Sequence, residues 1–255
     1  MSVAVLSALQ SELDLLIESL EDSVEYRVAG WPIWTGRIGS IDVTLARAGL
    51  GKVNTAALSA IVWERHRPAP MLFTGVAGGI DPAISVGDLV VGERTIQHDA
   101  GVLSPDGLRR YQAGHIPFFN PTDRFGFTPS PGLLAIVREL CPNVELAPVL
   151  GRSPEVVFGT ILTGDIFLED EKSRSLLFSD LAAQAVEMEG AALGQTASRF
   201  GIDHLVIRSV SDLAGGGAVE YFDRFLSEVS ANSARMVLAL LDRLQEDDRD
   251  HPVGP

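Results

Sequence analysis

The chain has 255 residues, and its 34 acidic against 20 basic side chains give a formal net charge of −14. Nucleic acids and anionic membranes bind clusters of Lys and Arg, so this charge disfavours both as partners and favours a small-molecule ligand. The single cysteine, Cys141, excludes an internal disulfide and a Cys-rich zinc site.

The elements predicted from the sequence alternate between strands and helices along the whole chain. The N-terminal segment reaches Glu12 without a cationic stretch, unlike a signal peptide or a membrane span, so we expect a cytoplasmic protein. Apolar periodicity then predicts strand 3–6, helix 13–20, strands 34–38 and 41–46, helix 53–65, strands 71–74 and 89–96, helix 133–140, strand 156–163, helix 172–181, strand 185–187, helix 189–200, strand 204–210 and helix 221–244.

This alternation indicates an α/β domain with a largely parallel or mixed central sheet. We expect one domain over residues 1–245, because no internal linker or repeat interrupts the pattern. Residues 246–255 are charged and rich in Pro and Gly, which predicts a disordered tail. The segment 99–130 has little periodicity. Irregular segments of this length in compact domains usually have a function, so we interpret it as a functional loop or an intersubunit surface.

Carboxylates follow several of the predicted strands. Ligands of open α/β sheets bind at the carboxyl ends of strands, where the sequence places Glu12, Glu187, Glu189 and Asp212. Glu187 and Glu189 would point the same way on a continuing strand, which is costly at an apolar strand end unless a ligand or a cation binds them. Each signal alone also fits a helix terminus or a turn.

Other common catalytic motifs are absent from the sequence. It contains no P-loop, no Gly-x-Ser-x-Gly elbow, no His-Glu-x-x-His motif and no complete dinucleotide fingerprint. His98-Asp99 is a local pair with metal-binding residue types, and such isolated pairs are usually surface or turn residues. The sequence therefore predicts neither a metal nor a cofactor.

Five segments together resemble the superfamily of purine nucleoside and uridine phosphorylases, and most closely its 5′-methylthioadenosine/S-adenosylhomocysteine nucleosidases. They are TGVAGGI (74–80), SVGDLVV (85–91), GTILTGDIFL (159–168), AVEMEGAA (185–192) and VIRSVSDLA (206–214). Their order and spacing agree over about residues 3–244. The resemblance implies a three-layer α/β/α fold around a mixed, mostly parallel sheet, a purine nucleoside substrate and a homodimer.

The resemblance also implies roles for the carboxylates. Asp212 matches the acid that protonates or hydrogen-bonds N7 of the departing purine, which requires a carboxyl group held protonated near neutral pH. Glu12 matches the carboxylate that orients and deprotonates the attacking water. Glu189 matches the acceptor for the ribose 2′- and 3′-hydroxyls, and Met188 packs on the sugar.

Other residues match the binding surface of the family. Phe167 stacks on the purine in this interpretation, and the backbone of Leu168 reads the edge of the base. Ala77 and Gly78 match positions where backbone lies close to the nucleoside. Arg208 and Ser211 are placed to orient the carboxylate of Glu12 or Asp212 in this interpretation.

The sequence favours hydrolysis over phosphorolysis. Phosphorylases of this superfamily grip phosphate with arginines, because a planar guanidinium binds it bidentately. The strand-end segment 72–75 reads LFTG and segment 8–12 reads ALQSE, so neither contains an arginine. A carboxylate at Glu12 would repel phosphate but suits a water, which makes water the predicted co-substrate.

The sequence leaves two questions open: which 5′-substituent the substrate carries, and whether the protein is a hydrolase. An apolar thioether pocket is expected from Leu9, Leu50, Pro117, Phe118 and Phe119, the last three contributed by a partner subunit. The alternative is a futalosine-type hydrolase, in which Arg109 or Arg110 pairs a carboxylated 5′-group. A purine nucleoside phosphorylase and a non-catalytic nucleoside-binding protein are further alternatives, although a binding protein has little need for Glu12 opposite Asp212.

Overall fold

The computed structural model describes residues 1–250, with side chains through residue 246. Eleven strands form: β1 Ser2–Ser7, β2 Glu21–Val28, β3 Trp31–Ile38, β4 Ile41–Arg47, β5 Met71–Gly79, β6 Leu89–Gln97, β7 Gly101–Ser104, β8 Gly107–Arg110, β9 Val156–Thr163, β10 Ala185–Glu187 and β11 His204–Asp212. The α-helices are α1 Asp14–Glu18, α2 Lys52–His66, α3 Pro131–Leu140, α4 Glu171–Leu181, α5 Gly190–Phe200 and α6 Ala218–Asp250.

Nine strands form one mixed sheet in the order β10-β9-β6-β11-β5-β1-β4-β3-β2. Strands β4, β1, β5 and β11 run parallel to one another at its centre. Strand β6 runs antiparallel to β11 but parallel to β9, and β10 also pairs antiparallel with the end of β5. The carboxyl ends of β1, β5 and β11 therefore meet at one edge of the sheet.

Hydrophobic cores lie on both faces of the sheet, as the alternation of side chains along a strand requires. In β1, Val3 and Val5 pack with α1, α3 and α6 on one face. Ala4 and Leu6 pack with α2 on the other face, where the core also includes Leu193 of α5. This arrangement confirms the predicted three-layer α/β/α fold.

Most predicted elements are confirmed, and the differences have local causes. Strand β2 was missed although Val24, Tyr26 and Val28 of its sequence EDSVEYRV alternate with polar residues. It is an exposed edge strand in which Tyr26 and Val28 are the partly buried residues. Strand β5 continues through Gly79, beyond its predicted end at Thr74, because it is paired there on both sides. The short hairpin of β7 and β8 lies inside the segment predicted as irregular.

Helix α6 is longer at both ends than predicted and continues to Asp250, so residues 246–250 of the predicted tail are helical. The rest of that tail, 251–255, lies outside the described residues. Within the described part of the chain, every helix is too short or too polar to cross a membrane.

Candidate active site

The predicted site residues meet where β5, β10 and β11 end. Gly78 of β5 pairs with Val186 of β10 on one side and with Asp212 of β11 on the other. The register of β11 shifts at Ser211, between Val210 and Asp212. Such a bulge re-aims the following side chain, and Asp212 contributes to the cavity beyond the strand ends.

A cavity of about 250 Å³ lies at this edge of the sheet. It is lined by Ala8, Leu9, Glu12, Leu50, Val76, Ala77, Gly78, Ile166, Phe167, Leu168, Val186, Glu187, Met188, Glu189, Ser211, Asp212, Ala214 and Phe222. The set includes the predicted catalytic and substrate-binding residues except Pro117, Phe118 and Phe119. It combines an apolar wall with four carboxylates, and none of these described lining residues is basic.

Arg208 of β11 is fully buried beneath the cavity and contacts three of its carboxylates. Its Nη2 donates a short hydrogen bond to Glu187 and lies 3.2 Å from Glu189 Oε2. Its Nη1 lies 4.0 Å from Glu12 Oε1. Burial disfavours the charged guanidinium, but the three carboxylates raise the pKa of Arg208 above its usual value. An internal cation thus compensates the paired carboxylates that the sequence left unexplained.

Glu12 is 2 % exposed and held by backbone donors. Its Oε2 accepts hydrogen bonds from the N–H groups of Ala8, at 2.9 Å, and Leu9, at 2.7 Å. Its Oε1 accepts from the N–H of Val76 at 3.0 Å. Burial raises the pKa of Glu12, and the opposing charge of Arg208 and these hydrogen bonds do not cancel the effect. The carboxylate is fixed in place and has an increased proton affinity.

Glu187 and Glu189 differ in their surroundings although both contact Arg208. Strand β10 ends at Glu187, whose carboxylate accepts a short hydrogen bond from Thr163 Oγ1. It also accepts hydrogen bonds from the N–H groups of Glu189 and Gly190, at 2.8–3.0 Å. Glu189 precedes helix α5, and its Oε1 accepts from the N–H of Gly51 at 2.8 Å. Burial and the neighbouring carboxylates, partly offset by Arg208, raise the pKa of Glu189 to about 7.

Asp212 lies at the end of β11 with 2 % of its surface exposed. Its Oδ2 accepts from Ser211 Oγ and its Oδ1 from the N–H of Ala214, both at 2.8 Å. Burial raises the pKa of Asp212 despite these two hydrogen bonds. Ser211 is thus a hydrogen-bond partner of Asp212.

Glycines create the space that two of these carboxylates occupy. A Cβ at Gly75, whose φ is +148°, would overlap both Glu12 Oε1 and Arg208 Nη1. A Cβ at Gly78 would lie 2.9 Å from Asp212 Oδ1. The glycines of the TGVAGGI segment therefore serve close approach of side chains to the backbone.

The apolar wall of the cavity contains Phe167, which is 45 % exposed and is therefore not a core residue. Its ring meets that of Phe222 edge-on, with 6.0 Å between the centroids. Phe222 belongs to the first turns of α6 and was missed by sequence reasoning. The aromatic pair Tyr221-Phe222, which follows the glycines at 215–217 after three residues, was the available signal.

The remaining candidates lie elsewhere in the chain. Pro117 does not line the cavity of this single chain, and its neighbours Phe118 and Phe119 are 78 % and 80 % exposed. Arg110 pairs with Asp180 at 3.0 Å and donates from Nε to His98 O, and Arg109 also lies outside the cavity lining. His98 and Asp99 do not act as a pair, because Asp99 binds Lys52 instead.

Comparisons with known proteins agree with this geometry. The sequence profile of the phosphorylase superfamily matches residues 2–242. The 5′-methylthioadenosine/S-adenosylhomocysteine nucleosidase of Mycobacterium tuberculosis is 42% identical over 246 residues, 94% of this chain and 96% of the relative. The nucleosidase of Pseudoalteromonas translucida is 33% identical over 248 residues, 96% of this chain and 98% of the relative.

Solved structures of nucleosidases with the same name superpose on nearly the whole chain. The Colwellia psychrerythraea nucleosidase in complex with adenine superposes with a TM-score of 0.83 at 32% identity, covering 96% of each chain. The Neisseria meningitidis enzyme with methylthio-immucillin-A gives 0.81 at 29% identity, covering 94% of this chain and 98% of that one. The chain therefore belongs to the phosphorylase superfamily, on the branch of the 5′-methylthioadenosine/S-adenosylhomocysteine nucleosidases.

Proposed function

We propose that the protein hydrolyses the N-glycosidic bond of 5′-methylthioadenosine and S-adenosylhomocysteine and releases adenine. The observation that carries this proposal is that two buried carboxyl groups, Glu12 and Asp212, line one cavity and both have a raised pKa. Cleavage of this bond generates an anionic base and a cationic sugar, so it needs an acid on one side and a base on the other.

Asp212 is the proposed acid at N7 of the adenine. Its raised pKa favours the protonated form that donates a hydrogen bond to the leaving group. Ser211 fixes one carboxyl oxygen and the N–H of Ala214 fixes the other, so the carboxyl group is oriented before the substrate binds. Gly78 leaves room for the group beside β5.

Glu12 is the proposed base that deprotonates the attacking water. Three backbone N–H groups hold it in one orientation, and its raised pKa brings its proton affinity closer to that required near neutral pH. Glu12 follows β1 and Asp212 ends β11, two strands on opposite sides of β5, so we assign the base and the acid to opposite faces of the sugar, as attack opposite the leaving group requires.

The rest of the nucleoside is assigned to neighbouring lining residues. Glu189 binds the ribose hydroxyls and Met188 packs on the sugar, and a carboxylate there also stabilises the positive charge that develops on the ring. Phe167 stacks on the adenine and Leu168 reads its edge, while Ala77 and Gly78 allow close approach of the backbone.

Water rather than phosphate is the proposed nucleophile. A phosphate dianion requires arginine or lysine, and the described residues that line the cavity include neither. The nearby guanidinium of Arg208 is committed to carboxylates and is fully buried. Four lining carboxylates would repel phosphate, whereas water is neutral.

The apolar end of the cavity supports a thioether at the 5′-position. Leu9, Leu50, Ile166 and Phe222 offer it an uncharged surface. A carboxylated 5′-group lacks a cation there among the described lining residues, and Arg110 is engaged with Asp180. These observations favour methylthioadenosine over a futalosine-type substrate. S-adenosylhomocysteine shares the thioether, but its homocysteine also carries a carboxylate, so its place among the proposed substrates is supported by the names of the relatives.

We further propose a cytoplasmic homodimer that acts in methionine salvage. In it, Pro117 and the exposed Phe118 and Phe119 of each subunit close the 5′-pocket of the other. The apolar side chains of Leu50 and Ile166 at the cavity, 56 % and 57 % exposed, support a covering surface at this place.

A panel of nucleosides with and without phosphate tests the function. Methylthioadenosine, adenosylhomocysteine, aminofutalosine, adenosine and inosine are incubated with the protein, and the products are separated by HPLC. We expect adenine from the first two without phosphate. Preference for aminofutalosine or a requirement for phosphate would overturn the proposal, and inactivity towards all five would favour a binding protein.

A further inference from the structure

Lys52, at the start of helix α2, lies in a network of charged groups beside the cavity. Its Nζ lies 2.7 Å from Asp99 Oδ1 and 2.8 Å from Asp99 Oδ2. The two side chains are only 19% and 20% exposed. Burial alone would raise the pKa of Asp99, but the hydrogen bonds from Lys52 and from the N–H of Asp165 lower it below its usual value.

Asp165 closes this network into a ring. Its Oδ1 accepts the N–H of Lys52 at 2.8 Å, and its own N–H donates to Asp99 Oδ2 at 3.1 Å. The ammonium group of Lys52 lies 3.9 Å from Asp165 Oδ2. We call these three residues the Lys52 ring. It joins the turn before α2 to the segment after β9 and to the start of the segment 99–130.

The ring lies between the two parts of the nucleoside site. On one side, Gly51 directly precedes Lys52 and its N–H donates to Glu189 Oε1 at 2.8 Å. On the other side, Asp165 directly precedes the lining segment Ile166–Leu168. Gly51 has a φ of +92°, and a Cβ there would lie 2.8 Å from Asp165 Oδ1, so the turn and the segment are packed against each other.

We propose that Lys52 is a positioning residue that sets the distance between the sugar-binding carboxylate of Glu189 and the base-binding segment. The inference rests on the proposed function for the roles of Glu189 and Phe167. Lys52 does not line the cavity. It acts through the Gly51 N–H on one side and through Asp165 on the other, and Asp99 holds its ammonium group in place.

This role predicts a selective loss of nucleoside binding. A nucleoside contacts both sides of the ring, so its affinity depends on their spacing, whereas adenine contacts the base-binding side alone. Lys52→Met removes the charge but keeps most of the apolar stem. We expect it to weaken nucleoside binding by about 10-fold, because small misplacements of binding groups have effects of this size or larger.

The test uses calorimetry with two probes, adenine and formycin A, a C-nucleoside isostere of adenosine that has no N-glycosidic bond. Binding of these probes is measurable whether or not the protein turns over methylthioadenosine, so failure of this inference is distinguishable from failure of the proposed function. Lys52→Met should weaken formycin A about 10-fold and leave adenine almost unchanged. Lys52→Arg should restore most of the affinity, because arginine retains the charge and its hydrogen bonds.

Asp99→Asn is a second variant that weakens the ring without changing side-chain size. It should also weaken formycin A binding more than adenine binding. Arg138→Met is the control, because Arg138 of α3 forms an ion pair with Glu93 of β6, away from the ring and from the cavity lining. Equal weakening of adenine and formycin A, unchanged binding in both ring variants, or the same selective loss in Arg138→Met would overturn the proposal.

Discussion

Replacing Arg208 with methionine removes the cation that compensates three buried carboxylates. Glu187 and Glu189 are hydrogen-bonded to this guanidinium, and Glu12 lies 4.0 Å from it. At that separation, the attraction between two unit charges is about 4 kcal/mol for an effective dielectric constant near 20. Removing one partner of a buried ion pair costs about 3–5 kcal/mol, because the other charge stays buried without compensation. We expect a loss of this size for Arg208→Met near neutral pH.

The destabilisation caused by Arg208→Met should increase with pH. Burial already raises the pKa of Glu189 to about 7, and Arg208 opposes that rise. Without Arg208, the folded-state pKa values of Glu12 and Glu189 rise further above the unfolded value of 4.5. The folded state then binds more protons than the unfolded state above pH 4.5, so stability falls as the pH rises through the folded-state pKa values.

Urea unfolding followed by tryptophan fluorescence measures this effect. The destabilisation of Arg208→Met relative to the unmodified protein should be about 3–5 kcal/mol near pH 8 and smaller near pH 5. Arg27→Met is the control, because Arg27 forms an exposed ion pair with Glu25 at 3.6 Å and such pairs contribute about 0–1 kcal/mol. A loss independent of pH, or one no larger than that of the control, would refute the reasoning.

Three further predictions concern single side chains of the site. Asp212→Asn should lower the rate of adenine release measured by HPLC by about 100-fold or more and leave adenine binding almost intact; surviving turnover would show that Asp212 is not the acid. Gly75→Ala should abolish turnover, since its Cβ would overlap Glu12 and Arg208, and wild-type rates would contradict this. The raised pKa of Glu189 predicts that the unmodified protein loses about 3 kcal/mol of stability as the pH rises from 4.5 to about 7, and Glu189→Gln should eliminate this loss. The same pH dependence of urea unfolding in both proteins would argue against the raised pKa.

The sequence predicted the strands well where they are apolar. It predicted candidate site residues where carboxylates follow strands. Glu12, Glu189 and Asp212 were all predicted beyond strand ends, and the structure places them in one cavity. Edge strand β2 was missed because the alternation of Val24, Tyr26 and Val28 covers only its last five residues, while its first three residues are polar and the strand is mostly exposed.

Long-range pairing explains what sequence reasoning left open. The cost of placing Glu187 beside Glu189 is offset by Arg208, a lone arginine inside the apolar strand sequence LVIRSV. A buried cation in such a strand requires buried anions, so the signal was present, but periodicity does not identify its partners. The Lys52 ring joins residues 47 and 113 positions apart, which no local pattern predicts.

The fate of the glycosidic bond tests the central claim most directly. Methylthioadenosine is incubated with the protein in phosphate-free buffer and in buffer with added phosphate, and the sugar product is identified by mass spectrometry. We predict adenine and free 5-methylthioribose at the same rate in both buffers. A product that carries phosphate at C1, formed only when phosphate is added, would contradict the assignment of Glu12 as the base that activates water.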